Sequence, residues 1–238
     1  YGMPAKMNEI LEVAQKYNIP VIEDAAEALG SAYQGRKCGT FGLMSILSFN
    51  GNKIITTSGG GALVCNTLEQ KNKAVYLSTQ ARENAPHYQH SQIGYNYRMS
   101  NISAGIGRGQ MEVLDKRVEA RRNNHFFYVK LFQEIEGVTV FSEPNEDFYS
   151  NHWLSAITVD ESITGWSNHD LRLQFEKEKI ESRPLWKPMH LQPVFENSIY
   201  YGNSVAEDLF NKGLCLPSGS NLTEEQKNRI KEVVLKMK

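Results

Sequence analysis

The sequence predicts an α/β fold, and two neighbouring segments carry that prediction. Apolar residues recur at 3.6-residue spacing over residues 4–17, which predicts an amphipathic helix. The Asn-Ile-Pro run after it ends that helix, and residues 20–24 (PVIED) then form a short β-branched segment typical of a buried strand. A helix, a tight link and a buried strand in succession are typical of a parallel sheet covered by helices.

Alternating strands and helices are predicted along the rest of the first half. Gly- and Asn-rich turns separate the apolar strand segments, and a polar, aromatic and aperiodic stretch predicts a loop. Ser100 is well placed to cap a long helix. The predicted elements are strands at 45–49 and 62–65, a helix at 68–82, a loop at 83–96 and a helix from Ser100 to about Ile135.

A smaller α+β unit is predicted for the second half of the chain. We expect the domain boundary inside or just after the long helix, near 116–136, which divides residues 1–120 from residues 121–238. The elements predicted beyond it are strands at 138–141 and 153–159 and helices at 168–178, 203–212 and 223–237.

Composition excludes several classes of protein. Apolar residues make up 40% of the 238 residues and charged residues 22%, as in an ordinary globular protein. The net charge of −1 gives no general attraction to nucleic acid or to an anionic membrane, and no apolar run reaches the ~18–20 residues that span a bilayer. The three cysteines, Cys38, Cys65 and Cys215, form no CxxC motif. We therefore expect free thiols, a reducing cytoplasmic compartment and no metal site.

Three residues suggest a cofactor. Asp24 ends the first predicted strand, at the sheet edge where open α/β proteins bind ligands. Lys53 lies in a Gly/Asn turn after the second strand, and Ser48 precedes it by five residues. An acid for the ring nitrogen, an amine for the aldehyde and a hydroxyl for the phosphate are what pyridoxal 5′-phosphate (PLP) requires of a protein. On spacing alone, a capping Asp and a solvated Lys explain this pattern better.

Four long segments favour the PLP interpretation over a capping Asp and a solvated Lys. They resemble, in order along the chain, the DegT/DnrJ/EryC1/StrS family of sugar aminotransferases. The resemblance implies the aspartate-aminotransferase (type I) PLP fold, with 1–120 in the large PLP-binding domain and 121–238 as the small domain. It also implies a homodimer with active sites at the subunit interface. The segments are VIEDAAEALGSAYQGRKCGTFG, SILSFNGNKIITTSGGGALVCN, IGYNYRMSNISAGIGRGQMEVLDKR and RPLWKPMHLQPVF.

The resemblance assigns roles to five positions. Lys53, in SFNGNK, would bond covalently to the PLP aldehyde and later carry protons. Asp24 would keep the pyridine nitrogen protonated, and Glu27 would lie beside the ring hydroxyl. Ser48 would bind the cofactor phosphate, and Asn96 would reach that phosphate from the other subunit.

The resemblance also suggests a substrate. The variant FNGNKIITTSGGG is similar to members that aminate C4 of a 4-keto-6-deoxy sugar nucleotide, especially the UDP-N-acetylbacillosamine aminotransferases, and GDP-perosamine synthases are similar here too. Glutamate would be the amino donor, in a pathway of surface-glycan synthesis. The segment from Arg183 to His190 would help line the sugar-nucleotide side.

Two alternatives stay open: a non-catalytic, regulatory relative, and a sugar dehydratase of the same fold. Some relatives use a His in place of Lys53 for dehydration, so the Lys here favours transamination. The histidines at 125, 152 and 169 show no ligand spacing and are expected to be structural. Family members are considerably longer before YGMPA, so we expect a carboxyl-terminal piece with an incomplete sheet, an exposed apolar surface and little activity alone.

Overall fold

A computed structural model describes residues 1–237 and divides them into two compact units. The first, here the site unit, comprises Gly2–Val118 and Asn145–Asn151. The second, here the C-terminal unit, comprises Tyr1, Glu119–Pro144 and the residues from His152 onward. The assignment of functions to residues 1–120 and 121–238 stays a prediction.

The helices and strands occur close to the predicted positions. The helices are α1 (Met7–Lys16), α2 (Leu68–Ser78), α3 (Asn101–Met111), α4 (Leu114–Phe132), α5 (Glu161–Thr164), α6 (Asn168–Lys177), α7 (Val205–Lys212) and α8 (Glu224–Leu235). The strands are β1 (Ile22–Asp24), β2 (Ala32–Tyr33), β3 (Arg36–Lys37), β4 (Met44–Ser48), β5 (Gly61–Cys65), β6 (Val138–Val140), β7 (Phe148–Tyr149), β8 (Ser155–Val159), β9 (Arg183–Pro184) and β10 (Gly213–Leu216).

Three small sheets organise these strands. In the site unit, β4 pairs in parallel with β1 and antiparallel with β5, and β2 pairs antiparallel with β3 and β7. The C-terminal unit holds an antiparallel sheet in the order β6-β8-β10-β9. The parallel β1–β4 pair matters most here, because parallel strands present their carboxyl ends at one edge of the sheet.

The predicted burial of the first strand is wrong. Ile22 is 64% exposed, whereas Glu23 is 8% exposed. The Glu23 carboxylate accepts the backbone N–H groups of Gly39 at 2.6 Å and Phe41 at 2.9 Å. Successive side chains of a strand point to opposite faces, so these two hydrogen bonds turn the charged residue inward and the isoleucine outward.

The predicted long helix is interrupted. Helix α3 begins at the predicted cap, where the Ser100 hydroxyl accepts the N–H of Ser103. It ends after Met111, and α4 starts at Leu114. Between them the Val113 N–H bonds the carbonyl of Gln110, a tighter turn than an α-helix makes. No helix among residues 1–237 is long and apolar enough to cross a membrane.

Each unit has its own apolar cluster. In the C-terminal unit, α4, α6 and α8 pack on the sheet around fully buried side chains that include Ile157, Leu171 and Phe175. In the site unit, a smaller cluster holds Tyr33 and Phe148 in contact through tilted rings 5.0 Å apart. The contact between Tyr33 and Phe148 attaches β7 and its flanking residues to the site unit, which the sequence pattern did not predict.

Candidate active site

Asp24 and Ser48 lie at the same sheet edge. They are the last residues of β1 and β4, and the parallel register sets Asp24 opposite Ile46, two residues before Ser48. The exposed Asp24 carboxylate accepts a local hydrogen bond from the Ala26 N–H at 3.0 Å. This edge therefore presents a carboxylate and a hydroxyl together, as predicted for the ligand-binding edge of an α/β sheet.

Lys53 lies in the turn after β4, and its neighbours anchor that turn. Its N–H bonds the Asn50 carbonyl at 3.1 Å, and the next two side chains, Ile54 and Ile55, are buried. The lysine amine donates to the Glu27 carboxylate at 2.9 Å, with 13% of the lysine side chain exposed and 37% of the glutamate side chain. The fold thus brings Lys53 and Glu27 together across 26 residues of sequence.

Two glycines close to Lys53 in the sequence border open space. A Cβ atom added to Gly51 or to Gly59 would meet no other atom within 4 Å. Gly60 adopts a φ of +95°, a conformation that glycine adopts without strain. These glycines keep side chains away from the turn that carries the amine.

The donor set fits PLP. A carboxylate suits a protonated ring nitrogen, a shielded primary amine suits an aldehyde, and a hydroxyl at a strand end suits a phosphate oxygen. Asp24, Lys53 and Ser48 supply these three groups within the site unit. Their roles toward the cofactor stay predictions.

Asn96 lies in an exposed segment of the site unit. It forms an isolated antiparallel bridge with Thr79, and the neighbouring Tyr95 N–H bonds the Leu77 carbonyl at 2.7 Å. Tyr97 beside it is 76% exposed. The side chain of Asn96 is itself exposed. Its predicted contact with phosphate in a second copy stays a prediction.

Arg183 and His190 belong to the C-terminal unit and have local partners there. Arg183 donates to Glu181 at 2.7 Å on the surface. The His190 ring stacks on Tyr200 at a centroid distance of 3.8 Å and bonds Glu207 at 2.9 Å. Their role on the sugar-nucleotide side stays a prediction.

A buried polar cluster was missed by the sequence patterns. Among residues 1–237, His125, Glu143 and His152 place one possible ligand atom each within 4.8 Å of one another. The His152 ring bonds both Glu143 oxygens at 3.1 Å, and Arg122 donates to the same carboxylate at 2.6 Å. These positions are too far apart in sequence for any ligand spacing to reveal them.

The two rings of this cluster are not arranged to share a metal ion. They stack at 3.6 Å with an interplanar angle of 5°. Imidazole lone pairs lie in the ring plane, so parallel stacked rings direct them side by side and not toward one point. Burial lowers the pKa of His152 to about 4 and also lowers the pKa of His125. The cluster is therefore a neutral, buried pair of rings beside an Arg–Glu ion pair.

Buried cysteines offer no nucleophile. Burial raises the pKa of Cys38 to about 12 and that of Cys215 to about 11. The thiolate is the reactive form of cysteine, and it is scarce at neutral pH for both residues. All three cysteines are free thiols in the structure, which agrees with the sequence expectation.

Comparison with known proteins gives consistent matches along the chain. Bacillus subtilis (strain 168) EpsN, itself an inferred pyridoxal phosphate-dependent aminotransferase, is 52% identical over 239 residues, covering 99% of this chain and 61% of EpsN. GDP-perosamine synthase of Escherichia coli O157:H7 is 37% identical over 226 residues, covering 95% of this chain and 60% of the synthase. The chain thus spans about 60% of the length of these curated relatives.

A solved structure shares the fold. The aminotransferase TlmJ from Streptoalloteichus hindustanus superposes with a TM-score of 0.91 at 22% identity, over 100% of this chain and 63% of TlmJ. This confirms the predicted type I aminotransferase fold. The profile described as the DegT/DnrJ/EryC1/StrS aminotransferase family matches residues 1–235, and the chain therefore belongs to that family.

Proposed function

We propose that the protein containing this chain is a PLP-dependent aminotransferase. It would move the amino group of glutamate to the 4-keto group of a nucleotide-linked 4-keto-6-deoxy sugar. The ion pair between Lys53 and Glu27, three residues after Asp24 at the end of β1, is the observation that carries this proposal. The family's dependence on PLP supports it.

Each residue of the site has a distinct task. PLP, when bound, supplies an aldehyde that captures amines and a ring that withdraws electrons from the adjacent carbon. Asp24 would hold the proton on the ring nitrogen, and Ser48 would donate a hydrogen bond to the phosphate. Nζ of Lys53 would take a proton from the α-carbon of glutamate and deliver one to C4 of the sugar. A positioned base of this kind contributes roughly 10²–10⁴-fold to a rate.

Glu27 would orient the lysine. Its carboxylate reaches Nζ of Lys53 at 2.9 Å, so it fixes where the amine lies relative to the strand ends. The same carboxylate can accept a hydrogen bond from the ring hydroxyl of the cofactor. We propose that the Glu27 carboxylate binds the lysine amine at rest and binds the ring hydroxyl when the amine leaves that position.

The acceptor is proposed from relatives as well as from the site. One relative is named GDP-perosamine synthase, which supports a nucleotide sugar as the substrate class. Arg183 and His190 are proposed to contact that substrate. A homodimer is proposed in which Asn96 of a second copy reaches the phosphate, and the protein is proposed to act in the cytoplasm in glycan synthesis.

A screen of substrates tests this function. The complete gene product is incubated with PLP, glutamate and a panel of UDP-, GDP- and dTDP-linked 4-keto-6-deoxy sugars. We expect one of them to yield an amino sugar nucleotide and 2-oxoglutarate in equal amounts, measured by mass spectrometry, with no product when glutamate is omitted. A deoxygenated sugar without new nitrogen would indicate a dehydratase. No reaction with any acceptor or with glutamate alone would favour a regulatory relative.

A further inference from the structure

The loop that carries Glu27 has little internal support. Residues 25–31 join β1 to β2 with two short-range backbone hydrogen bonds, from Ala28 N–H to the Ala25 carbonyl and from Ser31 N–H to the Ala28 carbonyl. Neither of these bonds uses the carbonyl of Glu27 or of Leu29. A loop of this kind needs donors from elsewhere to fix its half-buried carbonyls.

Asn151 supplies those donors from a distant part of the sequence. Its side-chain amide donates to the Glu27 carbonyl at 2.8 Å and to the Leu29 carbonyl at 2.9 Å, across 124 and 122 residues. The side chain is fully buried. A primary amide has two N–H donors, and here two separate carbonyls of one loop accept from it.

Asn151 is itself fixed on the same loop. Its backbone N–H donates to the Ser31 hydroxyl at 2.9 Å, and that hydroxyl donates to the Gly2 carbonyl at 2.6 Å. Ser31 is also fully buried. Three groups of the loop, at Glu27, Leu29 and Ser31, are therefore bonded to one residue, and all of them belong to the site unit.

We propose that Asn151 is a positioning residue for the Lys53–Glu27 pair. By holding the Glu27 backbone, it keeps the Glu27 carboxylate 2.9 Å from the lysine amine and keeps that amine shielded. Its contribution to catalysis rests on the proposed function, whereas its effect on the ion pair does not. The hydrogen bond from the Asn151 amide to the Glu27 carbonyl links Asn151 to the ion pair, so we infer that it acts through Glu27.

The test measures the reactivity of Lys53 in the cofactor-free complete gene product. An N-hydroxysuccinimide acetate reagent labels exposed amines, and peptide mass spectrometry gives the rate at Lys53. We expect Asn151→Ala to raise this rate about tenfold, because two half-buried carbonyls lose their donor and the loop opens. Glu27→Gln is expected to raise the rate similarly, since the ion pair is lost.

A double-mutant cycle separates positioning from general loosening. If Asn151 acts through Glu27, Asn151→Ala adds no further increase in the Glu27→Gln background. The matched control is Asn66→Ala, which removes an amide hydrogen bond of 3.0 Å to the Gly42 carbonyl in the same unit. This control is expected to leave the Lys53 rate unchanged. Additive effects of the two substitutions, or an equal increase in the control, would overturn the proposal.

A milder variant covers the case in which Asn151→Ala does not fold. Ser31→Ala removes the hydroxyl that accepts from the Asn151 N–H, and we expect a smaller increase of about threefold in the Lys53 rate. An unchanged rate in folded Ser31→Ala protein would contradict the positioning role. The proposed aminotransferase function is judged separately, by the substrate screen with the unmodified protein.

Discussion

The two compact units differ in how they bury apolar side chains. The described core of the C-terminal unit contains thirteen buried residues, and that of the site unit contains four. In the site unit, the register of the β1-β4-β5 sheet aligns Asp24, Ile46 and Leu63 on one face, where the two apolar residues are 44% and 46% exposed. The C-terminal unit thus has an internal core, while the unit with the candidate site keeps apolar surface beside its polar edge.

Substitution of Lys53 should produce the largest effect and should separate chemistry from stability. We expect Lys53→Ala in the complete gene product to lower turnover by at least about 10⁴-fold, because the base and the covalent attachment point are lost together. The urea midpoint is expected to change little, since the ion pair of the lysine with Glu27 is partly exposed. Turnover within a factor of ten of the unmodified protein would refute the assignment of Lys53.

Core substitutions should show the reverse pattern. Phe175→Ala removes a fully buried ring in the C-terminal unit and is expected to lower its free energy of unfolding by about 3–5 kcal/mol. Ile46→Ala, on the half-exposed sheet face, is expected to lower stability by only about 1 kcal/mol. Urea unfolding by tryptophan fluorescence reports the first change directly, because Trp153, Trp166 and Trp186 all lie in the C-terminal unit. A similar loss in both variants would contradict the contrast between the units.

The buried histidine pair predicts a pH dependence confined to the C-terminal unit. Burial lowers the pKa of His152 from 6.5 to about 4, so the folded ring stays neutral while the unfolded chain takes up a proton. Above pH 6.5 the ring is neutral in both states and costs no stability. As the pH falls from 6.5 toward 4, protonation of the unfolded chain lowers the free energy of unfolding by about 1.4 kcal/mol per pH unit. The lowered pKa of His125 acts in the same direction.

A matched variant isolates this effect. His152→Asn removes the titrating ring and keeps a residue type that tolerates the φ of +44° found there. Urea midpoints between pH 7 and pH 4.5 are expected to fall less steeply in this variant than in the unmodified protein. Parallel curves for the two proteins would show that His152 does not titrate as proposed.

Helix caps should give the smallest difference between the units. Thr223 and Thr67 each form a capping box, at the starts of α8 and α2. Thr223→Ala is expected to lower the stability of the C-terminal unit by ~1 kcal/mol, because α8 buries Ile230, Val233 and Val234 in the core. Thr67→Ala is expected to increase only local amide exchange in α2, which has no buried residue. Equal shifts of the tryptophan-detected midpoint would contradict this distinction.

Local patterns were sufficient for most of the fold. The amphipathic repeat of α1 and the strand at Gly61–Cys65 were each predicted to within a few residues, because side-chain periodicity is encoded locally. The two-residue strands β2, β3 and β7 were missed, since they are too short to show a period. The inward orientation of Glu23 was missed as well, because two backbone N–H groups of a later loop determine it.

The candidate site likewise has a part that the sequence predicts and a part that it does not. The sequence predicts Asp24 and Ser48 at or near strand ends and Lys53 in a turn, and the fold sets Lys53 against Glu27, while their roles stay predictions. The contacts of Asn151 and the cluster of His125 and His152 could not be found from sequence, because they join residues far apart along the chain. Long-range polar contacts leave no spacing that a pattern can detect.

The attachment of PLP to Lys53 is the central claim, and borohydride reduction tests it most directly. The complete gene product is incubated with PLP, reduced with borohydride, digested and analysed by peptide mass spectrometry. We predict a pyridoxyl group on Lys53, loss of the visible absorbance on reduction, and no modification at this position in Lys53→Ala. Modification of another lysine with Lys53 unmodified, or a protein that stays colourless with PLP, would contradict the account.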